Sequence, residues 1–243
     1  MSHSGASASY LYEGDANFAV RIEVFRACVT RDGVACRLRA RELELLIALV
    51  TCGQIAARDV FLESLWPGVA RAHANAALRT TVHRLRRRLG EPGAIVNESG
   101  YRLAEGVRVD IHEADELLRS VSSASIPEPP VQTRLRDLFA AFDADLPHAY
   151  DNWPWFERIR PGLLTLRRRV GMRVAHMNLL LRRFGEAVDI AERLLHHDPS
   201  DEPALELLVQ GLIGDGKAVE ARHRVRRFHG SVSPDVQRIV ECL

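Results

Sequence analysis

Residues Arg71–Gly90 read RAHANAALRTTVHRLRRRLG. Leu78, Val82, Leu85 and Leu89 stand at i, i+4, i+7 and i+11, one face of an α-helix from about Ala72 to Leu89, and Gly90-Glu91-Pro92 ends it. At 100° per residue, Ala76, Thr80, His83, Arg84 and Arg87 lie most nearly opposite that stripe, with Arg79 and Arg86 on the flank. The stretch contains Arg71, Arg79, Arg84, Arg86, Arg87, Arg88, His73 and His83, and no acidic residue. One face is therefore expected to pack and the other to carry charge. Small and hydroxyl side chains among arginines suit a helix in a DNA major groove, where the backbone approaches base edges and guanidinium groups reach phosphates or guanine. Such a face can also serve solubility alone, because of the 33 Lys and Arg residues in this chain only Lys217 is lysine.

The flanking sequence favours the groove. Upstream, Phe18–Phe25, Ala27–Thr30 and Val34–Leu38 alternate like short strands, with Asp32-Gly33 as a turn, and predict a small antiparallel sheet. Leu43, Leu46, Ile47 and Val50 form the stripe of an amphipathic helix over Arg39–Cys52, stopped by Gly53. A second helix runs from Asp59 through Val60, Leu62 and Leu65 to Trp66-Pro67-Gly68. Downstream, Ala94–Asn97 and Tyr101–Leu103 read as a hairpin. A sheet, three helices and a hairpin make a helix-turn-helix unit with a wing of the right size to touch adjacent backbone.

From Val109 onward no strand pattern appears. Ser122–Pro130 is a Pro/Ser break, and the rest reads as helices with short punctuations. Phe184–Gly216 has the length of one tetratricopeptide unit, with a bend at Asp198-Pro199, and a second unit starts at Ala218. The expected organisation is a lead-in at 1–9, a winged-helix domain at 10–109 and a helical domain at 110–243. The fold class is thus a small α+β winged helix-turn-helix domain followed by an all-α tetratricopeptide-like domain.

Composition narrows the function classes. The 243 residues are 47% hydrophobic and 27% charged with net charge +1, which suits globular domains and argues against a protein that coats nucleic acid over its whole surface. The longest apolar run, Leu45–Val50, is far too short to span a bilayer, and the Ser-rich start lacks a signal core, so no membrane partner and a cytoplasmic location are expected. Cys28, Cys36, Cys52 and Cys242 form no CxxC pair and are read as reduced thiols. The short lead before Phe18 leaves no phosphate-receiving domain to expect there.

The motifs carry a resemblance. Leu38-Arg-Ala-Arg-Glu-Leu-Glu-Leu-Leu, Leu65-Trp-Pro, Asn75-Ala-Ala-Leu-Arg, Leu85-Arg-Arg-Arg-Leu-Gly and Ser99-Gly-Tyr-Arg-Leu with Val109-Asp110 look like the OmpR-type winged helix. Asp151-Asn-Trp-Pro-Trp and Glu192-Arg-Leu-Leu-His-His-Asp-Pro are similar to the bacterial transcriptional activator domain, so about nine tenths of the chain resembles the SARP-type transcriptional activators. The resemblance implies that the third helix reads double-stranded DNA, with Thr80, Thr81 and Arg84 nearest the bases and His83, Arg86 and Trp66 on the backbone. Arg58 is a further phosphate candidate, the hairpin at Gly100-Tyr101 lies toward the minor groove, and on the helical wheel Arg79 and Arg87 also reach backbone. RNA polymerase and a second copy of the chain are the partners implied for the helical domain. The hairpin tip carries Glu98, which disfavours deep minor-groove insertion, and Ala76 and Ala77 thin the contact at the helix start.

Other constellations yield nothing catalytic. Gly211-Leu-Ile-Gly-Asp-Gly-Lys-Ala approaches a P-loop, but Ala218 stands where a magnesium-binding hydroxyl belongs and no strand precedes it, so a turn between helices is expected to account for the glycines. His196-His197-Asp198 diverge on a helix and cannot converge on one metal ion. Tyr150, Trp153, Trp155 and Phe156 are expected to pack between helical hairpins rather than line a ligand groove. No nucleophile-base-acid set appears, so no enzyme, cofactor or metal is expected. A helical-repeat adaptor that does not bind DNA is the competing reading, and it supplies no reason for an acid-free arginine face.

Overall fold

A computed structural model describes residues 20–51, 58–90, 93–97, 100–104, 106–122, 125–228, 230 and 232–234; the side chains at 58 and 60 are outside that description. The lead-in at 1–9, Cys52, Cys242 and the hairpin tip Glu98-Ser99 fall outside it too. The chain divides into two compact units, the first comprising 1–113 and 144–163, the second 114–143 and 164–243.

In the first unit, β1 (Val20–Glu23), β2 (Cys28–Arg31) and β3 (Val34–Ala35) form the expected antiparallel run, with Val20 opposite Arg31 and Thr30 opposite Ala35. Asp32 and Gly33 both have positive φ, the backbone that a tight hairpin turn demands, and Asp-Gly tolerates it. The strand β6 (Val107–Val109) was not anticipated: it pairs parallel to β1, giving the order β3-β2-β1-β6. Three residues are too few to show alternation, and a parallel partner some 87 positions away leaves no local signal. The wing is β4 (Ile95–Asn97) against β5 (Tyr101–Leu103), a separate antiparallel pair.

Three helices lie between these strands: α1 (Ala40–Thr51), α2 (Arg58–Leu65) and α3 (Arg71–Leu89). The stripe expected on α1 understates its burial, since every residue from Glu44 to Val50 is buried. The reason is a returning segment. Two 3-10 turns, His148–Asn152 and Pro154–Arg158, belong to the first unit and cover α1 from another side, where the Trp155 indole donates to Glu44 Oε1 at 3.1 Å. The Tyr150 hydroxyl donates to the Val24 carbonyl at 2.6 Å, and its ring meets Trp153 at 4.8 Å and Phe156 at 4.5 Å. Burial holds that phenol's pKa well above its usual value. These aromatics are packed core, as expected, but they serve the winged-helix unit.

The second unit takes in α4 (Asp110–Ser120) from Ala114, α5 (Pro129–Phe142), α6 (Arg160–Leu180) from Leu164, α7 (Phe184–His197), α8 (Glu202–Gly214) and α9 (Ala218–Arg226). Ala191, Leu205, Leu208, Leu212 and Ala221 form its innermost cluster, and the α7–α8 pair with its Asp198-Pro199 bend has the helix-turn-helix form of a tetratricopeptide unit. Asp201 caps α8 by accepting from the Ala204 N–H. The P-loop-like glycines are explained differently from the expectation. Gly211 and Gly214 sit inside α8 against Val188 and Phe184 of α7, where a Cβ on Gly211 would come within 2.9 Å of Val188, and only Gly216 serves the turn. Lys217 pairs with Asp215 at 2.7 Å. The fold class read from sequence is therefore the fold class observed.

Candidate nucleic-acid interface

Helix α3 turns Ala74, Leu78, Thr81, Val82, Leu85 and Leu89 into the core. Packing of that face against α1 and α2 leaves Ala76, Arg79, Thr80, His83, Arg84 and Arg87 exposed, as the helical wheel requires. Gly90 closes the helix in a left-handed conformation with φ 69°, donating its N–H to the Arg87 carbonyl.

The side chains of Arg79, His83, Arg84 and Arg87 engage in no hydrogen bond or ion pair among the described residues, so their donors face solvent. Thr80 bonds its hydroxyl to the Ala76 carbonyl at 2.9 Å and stays exposed, with its oxygen lone pairs still able to accept. At the start of the helix Arg71 pairs with Asp59 at 2.7 Å, and further along no carboxylate among the described residues pairs with the exposed row.

Three of the site residues named from sequence, Thr81, Arg86 and Tyr101, behave differently. Thr81 is only 8% exposed and bonds inward to the Ala77 carbonyl at 2.8 Å, because it precedes Val82 on the packing face and cannot reach bases. Arg86 lies on the wing side and donates through Nε and Nη2 to the Ile95 carbonyl at 3.0 and 2.6 Å, fastening α3 to β4. Tyr101 is buried with its ring edge-on to Phe61 at 6.2 Å, a core contact between β5 and α2. Trp66 is half-buried at the end of α2, its carbonyl accepting from the Val69 N–H. The Arg58 side chain lies outside the described residues.

Sequence reasoning missed the other flank. Arg39, Glu42, Arg84, Arg87 and Arg88 line a cleft of about 390 Å³ where the start of α1 meets the last turns of α3. The Arg39 N–H donates to Glu42 Oε2 at 2.9 Å, and Arg88 Nε stands 3.9 Å from the same oxygen. Arg88 was discoverable, since it lies only 40° around the helix from Arg84. Arg39 was not, because it joins the site through packing across 45 positions.

No protein-family profile matches the chain, and no curated protein matches it in sequence. Among solved structures it is similar to Mycobacterium tuberculosis EmbR, determined in complex with a low-affinity phosphopeptide, with a TM-score of 0.70 at 17% identity. The superposition covers 88% of this chain and 62% of that one, so the chain spans about three fifths of EmbR's length. Likeness at this identity is a statement about fold, and it supports the arrangement of a small sheet-bearing unit followed by helices. Among the described residues no helix is long and apolar enough to cross a membrane.

Proposed function

We propose that this chain is a sequence-specific, DNA-binding transcriptional regulator of the SARP type that docks α3 in the major groove. The observation that carries the reading is the exposed row Arg79, Thr80, His83, Arg84 and Arg87, whose guanidinium groups have no partner among the described residues and whose helix buries its opposite face in the core. Thr80 and Arg84 are the base-reading positions, and Arg79, His83, Arg87 and the exposed edge of Trp66 meet backbone. Thr81, Arg86 and Tyr101 act by shaping the unit. The helical unit engages RNA polymerase or a second copy of the chain, making the regulator an activator that works in the cytoplasm.

Selection of bound fragments from random duplex DNA by the purified chain tests this directly, and a recovered common motif is the expected result. Affinity for that motif should fall with salt at a log–log slope of about −4 to −5, from ~4–6 phosphate contacts. Arg84→Ala should weaken binding by roughly 1–3 kcal/mol and relax one base preference. No duplex binding even at low salt would overturn the reading in favour of a helical-repeat adaptor.

A further inference from the structure

The cleft on the α1 flank is not required for reading bases, yet four guanidinium groups converge on it against a single carboxylate. Arg39, Arg87 and Arg88 are exposed there with Arg84, so the groups are accessible, while Glu42 is only 3% exposed and held at the floor. Its Oε2 already accepts the Arg39 N–H, an arrangement that orients the first turn of α1. Arg88 is 3.9 Å from that oxygen, too long for a hydrogen bond, so its fork of donors remains unfilled. The guanidinium groups of Arg39 and Arg87 have no hydrogen-bond or ion-pair partner among the described residues. Guanidinium forks are matched by the oxygens of phosphate groups, and a cleft of about 390 Å³ accommodates more than one of them.

We infer that this cleft is a phosphate-binding site, with Arg39 and Arg88 as its own ligands and Arg84 and Arg87 shared with the major-groove face. Glu42 fixes the backbone at Arg39 and stands within ion-pair range of Arg88, and its single charge opposes anion binding that the four guanidinium groups favour. The phosphate comes from the DNA backbone beside the groove or from a free oligophosphate. In the first case the site rests on the proposed docking of α3 and adds a sequence-independent grip; in the second, occupancy withdraws Arg84 and Arg87 from DNA.

The test uses the full chain, its Arg39→Gln/Arg88→Gln variant and Glu42→Gln, with inorganic tripolyphosphate and duplex DNA as separate probes. Thermal unfolding of each protein is followed to confirm folding, and Arg39→Lys/Arg88→Lys is included as a charge-retaining control. Loss of one phosphate contact reduces the salt slope by about 0.9, which amounts to roughly tenfold in affinity at 0.1 M salt relative to 1 M. For a backbone source, the double Gln variant should bind selected and random duplexes more weakly by the same factor, near a hundredfold, with base preference unchanged and much of the loss restored by Lys. For a free oligophosphate, tripolyphosphate should bind the parent chain and displace DNA at constant ionic strength, and the double Gln variant should lose that effect while keeping its duplex affinity. Glu42→Gln, which removes the one negative charge, should tighten whichever probe binds. The inference is overturned if the double Gln variant stays folded and matches the parent chain for both probes. Tripolyphosphate binding that depends on Arg39 and Arg88 in a chain that ignores DNA would sink the docking of α3 and leave the cleft standing.

Discussion

Helices α3 and α6 are both rich in arginine over long stretches without one acidic residue, and their guanidinium groups end in different company. In α6, Arg160 is held by Asp151 and Glu157, Arg168 by Asp201, Arg169 by Asp115 at 3.0 Å, and Arg173 by the Ser122 and Ser125 carbonyls, while Arg167 is buried. Every one of these partners lies outside α6. In α3, Arg79, Arg84 and Arg87 have none among the described residues. An acid-free run therefore leaves its charges free for an outside partner only where the fold pairs none of them. The same local composition glues the molecule together in one place and is left unspent in the other.

Removing the free charges tests that contrast most severely. Arg79→Ala, Arg84→Ala and Arg87→Ala together should lower duplex affinity by roughly three decades at 0.1 M salt in a gel-shift titration. Stability by calorimetry should move by no more than ~0.5 kcal/mol, as expected for exposed side chains with no partner. A large loss of stability would place α3 in the same class as α6.

Asp110 presents the inverse case, an acid buried without a cation among the described residues. Its Oδ1 accepts from the Ile111 N–H at 2.7 Å, but burial raises its pKa to about 6, partly offset by the backbone N–H groups of Val24, Ile111 and Phe25. Between about pH 4 and pH 6 the folded state keeps a proton that the unfolded chain has lost. This residue therefore makes stability fall as pH rises through that window, by about 3 kcal/mol in all. Asp110→Asn should remove that slope from the difference between the two pH profiles in urea titrations.

Breaking the α6 network should cost less. Asp201 is 5% exposed and serves both Arg168 and the α8 cap, so Asp201→Ala should destabilise the chain by about 2 kcal/mol, read as a drop in Tm. DNA affinity of the folded fraction should not change. The smallest effect is expected at Arg86, the α3 arginine that behaves like those of α6. Arg86→Ala loses its bonds to the Ile95 carbonyl and should cost about 1–2 kcal/mol of stability, with a weaker effect on DNA than Arg84→Ala.

Much of the fold was legible because its signals are local. The stripe Leu78, Val82, Leu85 and Leu89, the Asp32-Gly33 turn and the Gly90 stop each report on a few consecutive residues, and all three are observed. Of the candidate site, the exposure of Arg79, Thr80, His83, Arg84 and Arg87 was legible because a helical wheel alone turns them outward. Thr81 failed by a small rotation toward the core, and Tyr101 failed because the wing's inner face packs on Phe61.

The order from β1 through the three helices to the wing hairpin, the face that α3 buries and the positions of its charges were determined by the sequence alone, since side-chain periodicity is dictated by backbone geometry. Tertiary structure decided what lies beyond that reach: the β6 strand beside β1, the cover that Tyr150 and Trp155 place over the first unit's core, and Arg39 beside Arg88. It also decided which arginines are neutralised. A charge is paired by whatever approaches it in space, and the acids that quiet α6 are up to 54 positions away along the chain.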